Sequence, residues 1–208
     1  ALPSLRVNSV NLELLEQVSS VRKSGLTFAV ETPLDADQIG LNKTVNRESL
    51  IALLREAKAR GWRVAKFYFM IGLPGVDWDT QADRIIEYMS AIKSSVKMNI
   101  NVNAATFVPK PHTAYQWAPQ LPEERAVETL SILKRSLKRI GIKFSYASPF
   151  HSILEGVISR GDERVGDLIE AAYRGGTRLD AWDEYTRRDV WNDVLDAAEW
   201  DVRGESVA

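Results

Sequence analysis

The stretch Val64-Ala65-Lys66-Phe67-Tyr68-Phe69-Met70-Ile71 runs directly into Gly72-Leu73-Pro74-Gly75, and the rest of the chain is organised around that succession. A run this rich in β-branched and aromatic residues reads as a buried strand, which glycine and proline then force to turn at once. Just beyond, Asp77, Asp79 and the Thr80-x-x-Asp83 box offer N-cap oxygens for a helix running to about Lys93. The unit is therefore strand, tight glycine turn, helix. Without a Cβ, glycine lets the backbone approach a ligand at the carboxyl end of a strand, where α/β proteins place their sites.

The same rhythm extends along the chain. Leu2 to Val10 holds a short strand candidate, and Asn8 or Asn11 caps a helix through Leu12, Leu14, Leu15, Val18 and Val21 that Gly25 ends. Leu26 to Glu31 is a second strand and finishes on a carboxylate, followed by a loop or short helical turn from Thr32 to Asn46. Asn46 caps an amphipathic helix carrying Leu50, Leu53, Leu54 and Ala57 on one face, with Gly61 at its end. Further strands are expected at Met98 to Val108 and Ile142 to Tyr146, separated by a helix that opens on Pro122 and stops before Gly141. Alternating strands and helices favour parallel βαβ architecture. In such a sheet, the polar side of Asn99-Ile100-Asn101-Val102-Asn103 can face a barrel interior or a binding cavity rather than water.

From His151 to Trp200 the rhythm breaks. Helices are expected around Ile153-Leu154, Val165 to Ile169 and Val190 to Ala198, interrupted by Arg160-Gly161-Asp162 and Gly175-Gly176. They read as a helical appendage with Trp182, Trp191 and Trp200 as bulky fillers.

Composition excludes several chemistries. The chain has no cysteine, which rules out disulfides, thiol nucleophiles and cysteine-ligated metal within it, and its two histidines, His112 and His151, cannot build a multi-histidine site without carboxylates. A net charge of -1 argues against the basic patch of an autonomous nucleic-acid binder, so nucleic acid is not an expected partner. No apolar run approaches the ~18 residues a membrane helix needs, and no basic start leads into an apolar stretch, so the expected location is cytoplasmic, with no membrane partner. The opening Ala1-Leu2-Pro3-Ser4-Leu5-Arg6-Val7, with no Met, reads as the interior of a longer protein.

Three places carry candidate chemistry: the strand-terminal Glu31, the Gly72-Leu73-Pro74-Gly75 turn, and the loop Val108 to Trp117. In that loop Pro109 and Pro111 stiffen a segment bearing Lys110 and His112, which suits a binding role. One reading makes Glu31, Asp77 and His112 the acid-base groups of a cysteine-free α/β enzyme, if they converge in one cleft. Another makes the chain a non-catalytic protein- or RNA-interaction module. Arg160-Gly161-Asp162 reads as a turn before an Asp-capped helix, and Lys134-Arg135 with Lys138-Arg139 as a solvated helix face.

Phe69-Met70-Ile71-Gly72-Leu73-Pro74-Gly75 resembles the fifth-strand motif of radical S-adenosylmethionine enzymes. Glu31-Thr32 with Asp35 to Lys43 is similar to their fourth-strand segment, and Phe107-Val108-Pro109-Lys110-Pro111-His112-Thr113 to the sixth-strand exit of methylthiotransferase-like members. Gln116-Trp117, Leu154-Glu155-Gly156 and Ser159-Arg160-Gly161-Asp162 extend the likeness to uncharacterised members that often carry a cobalamin-binding-like domain upstream.

The resemblance implies an α/β fold, the C-terminal half of a partial (β/α) TIM-like barrel over residues 1–147, with a mainly helical extension over 148–208. It also implies S-adenosylmethionine and a 4Fe-4S cluster in the parent protein, with cobalamin an option and the remaining N-terminal part of the parent as partner to an unknown substrate. The parent would cleave S-adenosylmethionine reductively and use the resulting radical to abstract a hydrogen; the fragment alone would be inactive. Glu31, Thr32, Ile71, Gly72, Phe107 and Val108 become the expected cofactor contacts, and Lys43, Asn103, Lys110 and His112 the substrate contacts. The family's C-x-x-x-C-x-x-C segment, whose thiolates hold the cluster, is absent. Pro33 stands where a glycine-containing turn is usual, and Val76-Asp77 replaces Glu-Thr.

Overall fold

The computed structural model describes residues 25–207, so the strand candidate at Leu2 to Val10 and the helix after it lie outside the described residues. The described chain divides into two compact units. The first takes in residues up to Thr106 together with Ala126–Tyr146; the second comprises Phe107–Arg125 and the residues from Ala147 onward. The segment 107–125, assigned above to the barrel part, thus clusters with the helices.

The first unit is a parallel sheet of β1 (Leu26–Glu31), β2 (Val64–Ile71), β3 (Asn99–Thr106) and β4 (Lys143–Tyr146). Its strand order, β1-β2-β3-β4, is the sequence order. Between strands come α1 (Asp35–Gly40) and α2 (Arg47–Ala59), then α3 (Gln81–Ser95), then α4 (Glu123–Arg139). A doubly wound sheet reverses its order at a switch point, whereas strands laid down one after another wind as in a (β/α) barrel. The fold is α/β and matches part of a TIM-like barrel.

Period-2 alternation sorts the two faces of this sheet. Leu26, Phe28 and Val30, Ala65, Phe67, Phe69 and Ile71, and Ile100, Val102 and Ala104 are buried. The buried residues of the helices include Leu50 and Leu54 on α2, Ile85 and Met89 on α3, and Leu133 and Leu137 on α4. The Phe28 and Phe67 rings lie 5.7 Å apart, and Tyr88 of α3 meets Phe69 edge-on at 6.1 Å. Burial pushes the Tyr88 phenol up, so it remains a neutral hydroxyl. The other face carries Thr27, Ala29, Lys66, Tyr68, Met70, Asn101, Asn103, Ala105, Lys143 and Ser145, all at least partly open.

Local chemistry sets the element ends. The Asn46 side chain accepts a 2.7 Å bond from the Ser49 amide, as its N-cap role requires. The expected capping box at Thr80 does not form: Thr80 occupies the N-cap position, but its hydroxyl donates to Asp77 at 2.7 Å, and Asp77 also accepts the Asp79 amide at 3.0 Å. The nearer carboxylate supplies a tighter side-chain turn than Asp83 could.

The second unit contains α5 (Pro149–Arg160), α6 (Arg164–Arg174), α7 (Arg188–Asp196) and α8 (Val202–Val207). Phe150, Leu154, Val157, Val165, Leu168, Trp191 and Leu195 form its core. Trp191 and Trp200 pack as expected, but Trp182 is 62% exposed because it lies in a turn segment between α6 and α7. Gly156 marks a close approach: a Cβ there would stand 2.1 Å from Oε1 of the buried Gln120, whose side chain would have to shift. Gln120 also donates to the Ser152 carbonyl at 2.7 Å, tying the segment before α4 to α5. Among the described residues, no helix is long and apolar enough to cross a membrane.

Candidate functional site at the strand ends of the sheet

The carboxyl ends of β1 and β2 lie side by side, and each ends in unusual backbone. A β-bulge between Ala29 and Glu31 shifts the register so that Glu31 pairs with Phe69. Glu31 has φ 65°, and the Thr32 amide bonds back to the Val30 carbonyl at 2.9 Å, closing a three-residue γ-turn around Glu31. A bulge and a positive φ on a residue other than glycine are costly, and they cluster where a side chain is re-aimed for a purpose.

The following loop holds Glu31 in that state. Buried Gln38 donates to the Thr32 carbonyl at 2.7 Å and accepts the Val45 amide at 2.7 Å, while the buried Thr32 hydroxyl donates to Asp37 at 3.1 Å. At the end of α1, Asn42 takes φ 51° and the Lys43 amide bonds the Gln38 carbonyl at 2.9 Å. This termination brings the Lys43 ammonium to within 2.5 Å of the Glu31 carboxylate.

On β2, Gly72 has φ 76° and its amide donates to Oε1 of Gln81 at 2.9 Å. Leu73, Pro74, Gly75 and Val76 then make a turn closed by the Val76 amide on the Leu73 carbonyl at 3.2 Å, with φ 79° at Gly75. Proline second and a positive-φ glycine third define a type II turn. Gln81, buried at the start of α3, also donates to the Trp78 carbonyl at 3.2 Å and locks the turn to the helix.

The structure brings some expected site residues together in the first unit, and others belong to the second. Glu31, Thr32, Lys43, Ile71 and Gly72 belong to the paired ends of β1 and β2 and their loops. Ile71 is 0% exposed, backbone included, and Gly72 beside it is buried as well. Asn103 sits lower on the open face, donating to the Ser145 hydroxyl at 3.0 Å. Phe107, Val108, Lys110 and His112 belong to the second unit. There Phe107 meets Tyr115 edge-on at 6.2 Å, Val108 is buried, Lys110 pairs with Glu155, and His112 has φ 61° with its amide donating to Gln116 at 3.2 Å. Asp77, the third acid-base candidate, is engaged by Asp79, Thr80 and, at 3.9 Å, by Arg84.

Sequence reasoning missed Gln81 and the surroundings of His151. His151 faces Asp183 through Nδ1 at 2.8 Å and Thr186 Oγ1 through Nε2 at 2.6 Å. The Thr186 hydroxyl is also within donor range of the Asp180 and Trp182 carbonyls, at 3.2 and 3.1 Å. That arrangement fastens a loop to α5 rather than freeing a nucleophile. The partners lie 32 and 35 residues downstream, with no local pattern to announce them. A cavity of about 850 Å³ in this unit is lined mainly by apolar residues of α6 and α7 with Trp200, and carries none of the expected site residues.

No family model matches the chain. An uncharacterised protein of Methanocaldococcus jannaschii is 24% identical over 168 residues, covering 80% of this chain and 36% of that protein. A radical SAM methyltransferase from Sphaerobacter thermophilus superposes with a TM-score of 0.48 at 18% identity, covering 67% of this chain and 38% of that one. The chain thus spans little more than a third of the length of either relative.

Proposed function

We propose that this chain supplies the adenosine and substrate side of the site in a radical S-adenosylmethionine enzyme, and that it is inactive alone. The observation that carries the reading is the pair of strand ends: Glu31 re-aimed by a bulge and γ-turn beside Gly72 at positive φ, on a sheet wound in sequence order. The motif likeness of Glu31-Thr32 and Ile71-Gly72-Leu73-Pro74-Gly75 gives this geometry its chemical meaning.

The residues present fit the adenosine part of the cofactor. Gly72, which has no Cβ, would let a flat ring approach the backbone at the end of β2. The Glu31 carboxylate accepts a ribose hydroxyl or the methionyl amine, and Lys43 neutralises and orients it until then. Bound S-adenosylmethionine would supply the hydrogen-abstracting power only after accepting an electron from a cluster held elsewhere in the parent protein.

The residues do not fit an iron-sulfur cluster. The chain has no cysteine, and among the described residues no group of three His, Cys, Asp or Glu could hold a metal ion. The cluster ligands belong, in this reading, to another part of the parent protein. Reconstituted with iron and sulfide under reducing conditions, the isolated chain is expected to yield no 5′-deoxyadenosine from S-adenosylmethionine. Production of 5′-deoxyadenosine by the isolated chain would overturn its assignment as half a site.

A further inference from the structure

The open face of the sheet carries a second polar cluster, lower along the strands than the Glu31 and Gly72 rim. Lys66, Tyr68, Asn101, Asn103, Lys143 and Ser145 line a cavity of about 300 Å³. Strand register fixes how they meet. Lys66 on β2 is level with Asn101 on β3, which is level with Lys143 on β4; one row on, Tyr68, Asn103 and Ser145 are level in the same way.

The charge balance of this face is unusual. An exposed sheet that serves only to meet water gains from opposite charges placed across strands. Here the cross-strand neighbours of Lys66 are Thr27 and Asn101, and Lys143 stands opposite Asn101. Among the described residues of β1 to β4, the only carboxylate is Glu31, and it is bonded to Lys43. Two lysines therefore line one cavity with amides and hydroxyls beside them, and no carboxylate is among the residues that line it. Strands pack ~4.8 Å apart, so the two lysines spring from backbone about 10 Å apart, a span their side chains can close on a single group between them.

We infer that this cavity binds an oxyanion, a phosphate or carboxylate group carried by a small molecule, and that the substrate of the proposed site is accordingly anionic. Lys66 and Lys143 supply the charge, and Asn101 directs its amide to the same oxygens. Asn103 and Ser145, already bonded to each other, complete a donor-rich wall. A donor set without carboxylates rejects cations. Naming the anion as substrate rests on the proposed function; the anion site itself does not.

The test titrates the full-length protein with inorganic phosphate and, separately, with succinate, following saturable binding by calorimetry at low ionic strength. Wild-type protein is expected to bind one or both anions, the stronger response identifying a phosphate or a carboxylate ligand. K66Q and K143Q are each expected to weaken that binding about tenfold, while K58Q, on the exposed side of α2, leaves it unchanged. Absence of saturable binding in the wild-type protein, or an equal loss in K58Q, would overturn the anion site. S-adenosylmethionine affinity is read separately in Glu31 variants. Anion binding that survives when those variants leave cofactor affinity unchanged would keep the oxyanion site and remove only its assignment as a substrate site.

Discussion

In the sheet unit Phe28, Phe67 and Phe69 are sealed to 1% exposure or less, whereas in the helical unit Phe150, Leu154, Val165 and Leu168 retain 4–6%. The first unit has parallel strands whose backbone register places every side chain on one face or the other. The second has no such template, and arginines spread over its surface lie against its aromatic rings. Arg164 lies over Trp200 at 4.1 Å, Arg178 over Tyr173 at 3.7 Å and Arg188 over Phe150 at 4.6 Å. Arg164, Arg174, Arg187 and Arg203 add ion pairs to nearby acids. Exposed pairs of this kind contribute little each, and their aliphatic stems cover apolar surface that the small core leaves open. The sheet therefore keeps one face open, while in the small helical unit arginine stems cover apolar surface that its core leaves exposed.

The largest expected effect lies in the sheet unit. Phe67→Ala should cost about 3–5 kcal/mol in urea unfolding, because the ring is fully enclosed between neighbours. Leu168→Ala, at the edge of the 850 Å³ cavity, should fall near the low end of the ~2–5 kcal/mol range for such truncations. A larger cost for Leu168→Ala would break the contrast between the two cores. A middling effect is expected for Asn46→Ala, which removes the cap of α2 and should cost about 1 kcal/mol.

The smallest effect belongs to the arginine surface. The Arg187 guanidinium holds the Asp189 carboxyl down at about 2. A lowered folded-state value means that the pair's contribution is present above the ordinary value of 3.8 and is lost as pH falls through about 2. In Arg187→Ala, an NMR titration should find Asp189 back in the ordinary carboxylate range, with neutral-pH stability hardly altered. A large loss of stability at neutral pH would show these surface pairs to be structural supports.

The difference between the units also governs what could be read from the chain. Leu26 to Glu31 and Val64 to Ile71 were legible as strands to the residue, because period-2 burial and glycine turns are local signals. The polar side of β3 likewise announced an open face. What escaped depends on distant partners. Nothing near Glu31 says that Lys43 will meet it, since that contact follows from how α1 ends at Asn42. The bulge at Glu31, the Gln81 lock on Gly72 and the Lys66 and Lys143 row are products of register and loop closure. In the helical unit, hydrophobicity alone cannot separate buried Trp191 from exposed Trp182, because both are tryptophans in mixed surroundings. The clustering of 107–125 with the helices rests on contacts such as Gln120 on Ser152, again without a local signature.

The central claim is that the paired ends of β1 and β2 form one wall of a cofactor site. Its most direct test is calorimetric titration of the full-length protein with S-adenosylmethionine, comparing wild type with Glu31→Ala and Gly72→Val. Thermal melts confirm folding, since a β-branched residue at the positive φ of Gly72 costs about 1–3 kcal/mol of strain. Both variants, still folded, are expected to bind at least about tenfold more weakly, as loss of a charged hydrogen bond or of close backbone approach requires. Unchanged affinity in both would contradict the account.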